Sequence, residues 1–212
     1  MKKIIIFDMD GVLIDSMAIM YEYSQIRFPG ISYKEFQEVA VGNIHKENEK
    51  IQKKYNKEIT LEEKEEQKLI YAASKLHSPV YVGMFELLES LQTQGYLLTM
   101  NTGAWERNSM PILEKYNMVD FFDTILLAED SKSKIEKFNM LFKKYSAEPK
   151  DFIFITDTLG DVKEANDVGV PTIAVTWGAH NHEFFNRIDL DVLKNIVDTP
   201  ADLQDAIKNF CI

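Results

Sequence analysis

The sequence feature that most constrains the fold is a set of short, unbroken apolar runs separated by segments of helical periodicity. Runs of this kind are typical of parallel strands that are buried on both faces. Their alternation with helices predicts βαβ units, and hence an α/β fold of three layers with a mostly parallel sheet. The predicted strands cover Ile4–Phe7, Tyr96–Met100, Thr124–Leu127, Phe152–Ile155, Thr172–Val175 and a weaker run at Asn195–Val197.

Residues 16–79 interrupt this alternation, because they contain helix signals and no convincing strand. Ser32 and Thr60 each begin a capping-box pattern, with a glutamate three residues later. Asn43 is a plausible N-cap for a third helix. We therefore expect an all-helical insertion after the first strand, at residues 16–79, and a core built from residues 1–15 and 80–212.

The composition narrows the functional classes. A formal net charge of −10 over 212 residues, with a pI near 4.9, argues against nucleic acid or an anionic membrane as a partner. Ile4–Phe7 is too short for a signal peptide or a membrane span. The single cysteine, Cys211, excludes an internal disulfide and suits a reducing compartment. These features predict a cytoplasmic protein.

Two aspartates follow the first predicted strand, in the segment Asp8-Met9-Asp10-Gly11. Ligands of open parallel sheets bind at the carboxyl ends of the strands. Gly11 permits a sharp turn there, so both carboxylates can point into one pocket. The alternative is that the aspartates only stabilise a turn.

A second acidic pair, Asp157 and Asp161, follows the strand Phe152–Ile155. Two strands that end in carboxylates at the same edge of a sheet concentrate negative charge, which is unfavourable without a cation. Hard oxygen ligands of this kind select Mg²⁺. Asp161 has a structural alternative as the N-cap of the following helix.

Together with the motifs below, these acidic pairs make the sequence resemble the haloacid dehalogenase superfamily over nearly its whole length. The resemblance implies a Rossmann-like core and makes residues 16–79 an all-helical cap domain. Each motif is weak to moderately specific alone, but their order and spacing are highly specific. They are Asp8-x-Asp10-Gly11 with the extension Val12–Ser16, Thr102 at the end of the second strand, an upstream lysine, and Asp157 with Asp161.

The resemblance also implies a role for each residue. Asp8 would be the nucleophile that forms an aspartyl-phosphate, and Asp10 would be the acid and base. Mg²⁺ would be held by the Asp8 carboxylate, the Asp10 backbone carbonyl and Asp157, with Asp161 just outside the ligands. Thr102, followed by Gly103, would bind the phosphoryl group.

Two lysines compete for the remaining motif, in which a lysine neutralises the charge of the phosphoryl group. Lys132 and Lys134 both precede Asp157 at spacings that occur in the superfamily, and the Lys-Pro-x-Pro pattern of many members is absent. We favour Lys134, because it shares a helix with the apolar residues Phe138 and Leu141. Either lysine could instead lie on the surface.

The reaction predicted is Mg²⁺-dependent hydrolysis of a small phosphorylated metabolite. An acid at position 10 favours phosphate chemistry, since a halide leaving group needs no proton. A cap that closes over the site would also favour small substrates. The alternatives are a phosphosugar mutase resembling β-phosphoglucomutase and, in another class, a non-catalytic phosphate-binding protein. Either a monomer or a homodimer is compatible with the sequence.

One further segment and two further residues near these motifs also carry an expectation. The segment His180-Asn181-His182 favours a surface loop. Thr156 replaces a glycine that is common before the aspartate in this superfamily, which puts the local backbone fit in question. The position of Asn101 favours a role in orienting the loop that carries Thr102, and the alternative is a contact with the site itself.

Overall fold

The computed structural model describes residues 3–55 and 60–210; Cys211 lies outside the described residues. Its six strands form one parallel sheet with the order β3-β2-β1-β4-β5-β6. The α/β, Rossmann-like expectation is confirmed, and every strand pair is parallel. The strands are β1 (Ile4–Phe7), β2 (Leu97–Asn101), β3 (Thr124–Leu126), β4 (Phe152–Thr156), β5 (Thr172–Val175) and β6 (Leu193–Val197).

Helices cover both faces of this sheet, and the side chains of β1 alternate between the two apolar clusters that these helices form with the sheet. Ile5 and Phe7 pack with residues from the helices Met84–Thr93, Glu106–Lys115 and Pro200–Phe210. Ile4 and Ile6 pack with residues from the helix Lys134–Tyr145. All four residues of β1 are buried, as expected for the centre of a parallel sheet. The helices of the core are α5 (Met84–Thr93), α6 (Glu106–Lys115), α7 (Lys134–Tyr145), α8 (Leu159–Asp167), α9 (His182–Phe185) and α10 (Pro200–Phe210).

Four helices lie between β1 and α5, and the described part of residues 16–79 contains no named strand. Ser32 and Thr60 form the capping boxes expected from the sequence, and Asn43 accepts a hydrogen bond from the Lys46 N–H. A small apolar cluster around Phe28 and Phe36 stabilises this segment. The helices are α1 (Met17–Arg27), α2 (Tyr33–Val39), α3 (Ile44–Tyr55) and α4 (Leu61–Lys75).

The two chain crossings between the helical segment and the core run side by side. Ile14 forms an antiparallel bridge with Val80, and the Asp15 N–H donates to the Pro79 carbonyl at 2.9 Å. That residues 16–79 form a separate cap domain, hinged at these crossings, stays a prediction. Within residues 3–55 and 60–210, no helix has the length and apolar character needed to cross a membrane.

Candidate active site

The candidate site lies at the carboxyl ends of two adjacent strands from which the chain continues to opposite sides of the sheet. β1 and β4 are adjacent, yet the chain reaches β2 on one side before it returns to β4 on the other. Such a switch point leaves a crevice at the carboxyl ends of the two strands, which is where α/β proteins bind ligands. Asp8 and Asp157 directly follow β1 and β4, respectively.

Each carboxylate oxygen of Asp8 contacts a neighbouring group. Its Oδ1 accepts the Met9 N–H at 2.7 Å, and its Oδ2 lies 3.0 Å from Lys134 Nζ. Burial raises the pKa of Asp8 to about 6, and Lys134 opposes this rise. The backbone N–H of Asp8 donates to the Ile155 carbonyl of β4, so the position of its backbone follows directly from strand pairing.

Lys134 joins two of the acidic residues. Its Nζ lies 3.1 Å from Asp161 Oδ2, as well as 3.0 Å from Asp8, and it donates to the Asn101 carbonyl at 2.7 Å. Burial opposes its charge, but the carboxylates of Asp161 and Asp8 outweigh burial and raise the pKa of Lys134. Lys132 lies elsewhere in the cavity, with its Nζ 6.0 Å from the centre of the Trp105 ring.

Asp161 is an acceptor for Lys134 and does not cap its helix. Thr158 is the N-cap of α8, because its hydroxyl accepts the Asp161 N–H at 3.2 Å. The N-cap alternative for Asp161 was therefore wrong, because the helix begins at Leu159, three residues earlier than that alternative requires. Thr156 fits well in place of glycine, since its hydroxyl donates to Asp161 Oδ2 at 2.7 Å.

Asp157 is buried, and two glycines lie close to its carboxylate. Its Oδ2 accepts the Ala179 N–H at 2.7 Å. A Cβ on Gly11 would lie 1.9 Å from this oxygen, and one on Gly178 would lie 2.3 Å from it. Gly11 also has a φ of 72°, so both its conformation and its close approach to Asp157 favour glycine.

The acidic residues fit a bound Mg²⁺. Asp157 Oδ1 is buried and has no hydrogen-bond partner among the described residues. Burial, with the charge of Asp8, raises the pKa of Asp157 well above its usual value, and a cation bound there would oppose this rise. Among the described residues, no three His, Cys, Asp or Glu side chains form a group that could hold a metal ion by themselves.

Asp10 is contacted by two side chains from outside the sheet. Ser16 Oγ donates to Asp10 Oδ1 at 2.6 Å, and Lys75 Nζ lies 2.7 Å from Asp10 Oδ2. Lys75 ends α4 and is only 1% exposed. The sequence analysis missed it because it stands in a lysine- and glutamate-rich helix, 65 residues from Asp10 along the chain.

Thr102 and Gly103 begin the loop after β2. The Thr102 N–H donates to the Leu126 carbonyl at 3.0 Å, and the Thr102 hydroxyl accepts the Ala104 N–H at 3.1 Å. The Thr102 carbonyl accepts a hydrogen bond from Lys137 Nζ. Lys137 was also missed, although it lies one turn after Lys134 on the same face of α7. Burial, with the charge of Lys134, lowers the pKa of Lys137 to about 8.

His180 does not lie on the surface, which corrects the expectation for its segment. It is fully buried, and its ring stacks on Phe184 at 4.1 Å. Because Nδ1 accepts the Leu159 N–H at 2.8 Å, the neutral ring carries its proton on Nε2, which donates to the Gln37 carbonyl at 2.9 Å. Burial lowers its pKa to about 4. His182 is exposed, as expected.

His180 is part of a contact between the core and the end of α2. The Gly160 N–H donates to the Ala40 carbonyl at 2.9 Å, and Lys163 Nζ donates to the Val41 carbonyl at 2.9 Å. The approach is close because Gly160 has no side chain: a Cβ there would lie 2.3 Å from the Gly42 carbonyl oxygen.

All the candidate residues line one cavity of about 1060 Å³ between the sheet edge and the helical segment. Met20, Tyr23 and Tyr71 contribute to its wall from the helical segment, and Trp105 contributes from the core. The structure therefore brings together every residue that the sequence analysis selected: Asp8, Asp10, Thr102, Gly103, Lys132, Lys134, Asp157 and Asp161.

Comparison with known proteins places the chain in a family. The model of the haloacid dehalogenase-like hydrolases matches residues 5–175, and the chain belongs to this family. The family is one of hydrolases. The chain is 22% identical to a phosphoglycolate phosphatase of Vibrio vulnificus, over 97% of this chain and 96% of the relative.

Two solved structures share the fold over nearly their full lengths. One is described as a predicted phosphatase from Clostridium acetobutylicum, with a TM-score of 0.76, 21% identity and 99% of each chain covered. The other is CbbY from Rhodobacter sphaeroides in complex with phosphate, with a TM-score of 0.76, 16% identity and 96% of each chain covered. At these identities the likeness concerns the fold alone.

Gly160→Ala tests the contact between α8 and the helical segment. The added methyl group would meet the backbone carbonyls of Gly42 and Ala40 at 2.3 and 2.7 Å, and backbone atoms there cannot rotate away. We expect a loss of about 1–3 kcal/mol in the free energy of unfolding, measured by urea denaturation.

Gly103→Ala is the matched control for stability, because its Cβ would meet its nearest neighbour at an ordinary 3.5 Å. We expect its free energy of unfolding to stay within about 0.5 kcal/mol of the wild type. Equal stability of the two variants would contradict the close contact at Gly160.

Proposed function

We propose that the chain is a Mg²⁺-dependent phosphatase that hydrolyses a small phosphorylated metabolite through an aspartyl-phosphate on Asp8. The observation that supports this most is the buried pairing of Asp8 with Lys134, at 3.0 Å, beside Asp157 at the end of the neighbouring strand. A carboxylate in such a site can attack phosphorus only if the charge of the phosphate is neutralised. Lys134 supplies part of that neutralisation.

Asp8 would act as the nucleophile in the first half of the reaction. A carboxylate oxygen of Asp8 forms the bond to phosphorus as the bond from phosphorus to the leaving oxygen breaks. Asp10 gives its proton to that leaving oxygen. In the second half, Asp10 takes a proton from the water that attacks the aspartyl-phosphate, which releases inorganic phosphate and restores Asp8.

The chain would hold Mg²⁺ with the Asp8 carboxylate, the Asp10 backbone carbonyl and the Asp157 carboxylate. When bound, the metal ion withdraws charge from the phosphoryl oxygens, which lowers the repulsion between two anions. Thr102 and Gly103, which line the same cavity, would orient the phosphoryl group. The hydrogen bond from Lys137 to the Thr102 carbonyl would help to hold this loop in position.

Asp10 would be positioned by the two partners on its carboxylate. Ser16 donates to one oxygen and Lys75 contacts the other, so the carboxylate cannot rotate freely. Both partners lie in residues 16–79, whereas Asp10 belongs to the core. The acid and base of the reaction would therefore be in place only when the helical segment packs against the sheet edge.

Asp8→Asn tests the nucleophile. We expect release of phosphate from p-nitrophenyl phosphate to fall at least about 1000-fold, because the amide cannot form the acyl-phosphate. Asp167→Asn, at the exposed end of α8, is the control and should keep wild-type activity. Full activity of the Asp8 variant would disprove the assignment. A phosphosugar mutase would differ by isomerising a sugar phosphate with little free phosphate.

Removal of the metal ion tests the cofactor. Treatment with EDTA should abolish hydrolysis, and added Mg²⁺ should restore it. Asp157→Asn should raise the Mg²⁺ concentration needed for half-maximal activity by about 10-fold or more, because a metal ligand is lost. Activity that persists after EDTA treatment would exclude the proposed role of Mg²⁺.

Lys75→Met tests the positioning of Asp10. We expect kcat to fall by about 10- to 100-fold with a smaller change in KM, because the acid and base loses one of its two anchors. Lys143→Met, at an exposed position of α7, should behave as the wild type. Unfolding measured in parallel separates this effect from a loss of stability. An unchanged kcat would show that Lys75 does not position Asp10.

A further inference from the structure

The loop that follows β5 contacts the candidate metal ligand Asp157 through its backbone. The Ala179 N–H donates to Asp157 Oδ2 at 2.7 Å, and the His180 N–H donates to the Asp157 carbonyl at 3.1 Å. Gly178 packs into the same contact, because a Cβ there would lie 2.3 Å from Asp157 Oδ2 and 2.4 Å from the Gly11 carbonyl oxygen. The orientation of the Asp157 carboxylate therefore depends on where this loop lies.

One residue of the helical segment, Gln37 of α2, contacts the same loop twice. Its Nε2 donates to the Ala179 carbonyl at 2.7 Å, and its backbone carbonyl accepts a hydrogen bond from His180 Nε2 at 2.9 Å. Gln37 lies 142 positions before Ala179 along the chain. It therefore contacts both residues whose N–H groups donate to Asp157, although it belongs to the segment between β1 and α5.

The His180 ring extends this connection to the start of α8. Its Nδ1 accepts the N–H of Leu159, the first residue of that helix, at 2.8 Å. Leu159 follows Asp157 by two positions, so the chain on the carboxyl side of Asp157 is also connected to Gln37 through the imidazole. Direct hydrogen bonds between protein groups make up both routes from Gln37 to Asp157.

The carboxylate of Asp157 is oriented by the contact with Ala179. Because Oδ2 accepts the Ala179 N–H, the other oxygen, Oδ1, is the one that stays buried without a hydrogen-bond partner among the described residues. Mg²⁺ requires nearly ideal octahedral geometry, so its ligands must be held in place. Loss of a group that orients a metal ligand typically costs about 10- to 100-fold in metal affinity. A shift of Ala179 would therefore weaken the binding of Mg²⁺.

We infer that Gln37 is a positioning residue for Asp157, so that docking of the helical segment and binding of Mg²⁺ strengthen each other. Gln37 acts on the metal site of the proposed phosphatase, on which this inference rests, and adds a coupling between that site and the helical segment. Such a coupling is reciprocal. The docked segment makes Asp157 a better ligand, and a cation bound at Asp157 favours the docked segment.

Gln37→Leu tests the coupling, since leucine has a similar size and cannot donate to the Ala179 carbonyl. Calorimetric titration with Mg²⁺ alone should give a Kd about 5-fold or more above that of the wild type. Gln37→Asn keeps the amide but is one methylene shorter, and it should also weaken binding. Glu38→Gln is the matched control, because Glu38 is the next residue of α2 and pairs with the exposed Arg187 of the core at 2.8 Å. Its Kd should stay within about twofold of the wild type, as expected for a surface ion pair.

Hydrolysis of p-nitrophenyl phosphate separates positioning from a loss of structure. Gln37→Leu should need about 5-fold or more Mg²⁺ for half-maximal rate, but reach a kcat within about twofold of the wild type at saturating Mg²⁺. A loss of kcat that Mg²⁺ does not restore overturns the inference. So does an unchanged Kd in Gln37→Leu, or an equal rise in Glu38→Gln. The calorimetric comparison needs no turnover, so an inactive wild type would contradict the phosphatase proposal and leave the test of the coupling intact.

Discussion

The site of this hydrolase depends on the accumulation of negative charge at one edge of its sheet. β1 and β4 are central and adjacent, so the residues that follow them, Asp8 and Asp157, meet in a buried crevice. Burial raises the pKa of both carboxyl groups, because it disfavours their charged forms. Lys134 reduces this cost for Asp8, whereas Asp157 Oδ1 has no hydrogen-bond partner among the described residues.

Close packing around the site requires glycine at three positions. Gly11 and Gly178 pack against Asp157 so closely that neither position has room for a side chain. Gly160 allows the end of α2 to approach α8, and His180 adds a buried hydrogen bond to the Gln37 carbonyl. These contacts hold the helical segment over the sheet edge. Ser16 and Lys75, which contact Asp10, belong to the same helical segment.

Sequence reasoning succeeded where the signal is local or periodic. Buried strands appear as continuous apolar runs, and the capping boxes at Ser32 and Thr60 need only residues three positions apart. It failed for groups whose partner is distant along the chain. Lys75 looks like a solvated helix residue, and the segment around His180 looks like a surface loop. Each is buried only because the helical segment and the core pack against each other.

The sequence by itself determined the parallel α/β sheet, the helical segment after β1 and the set of acidic residues at the strand ends, because these follow from periodicity, strand polarity and motif spacing. The tertiary structure alone decided which lysine pairs with Asp8: Lys134 faces the crevice at the start of α7, while Lys132, two residues earlier, turns towards Trp105. It also decided what contacts Asp10. Both outcomes depend on distances between segments far apart in the chain, which no local pattern encodes.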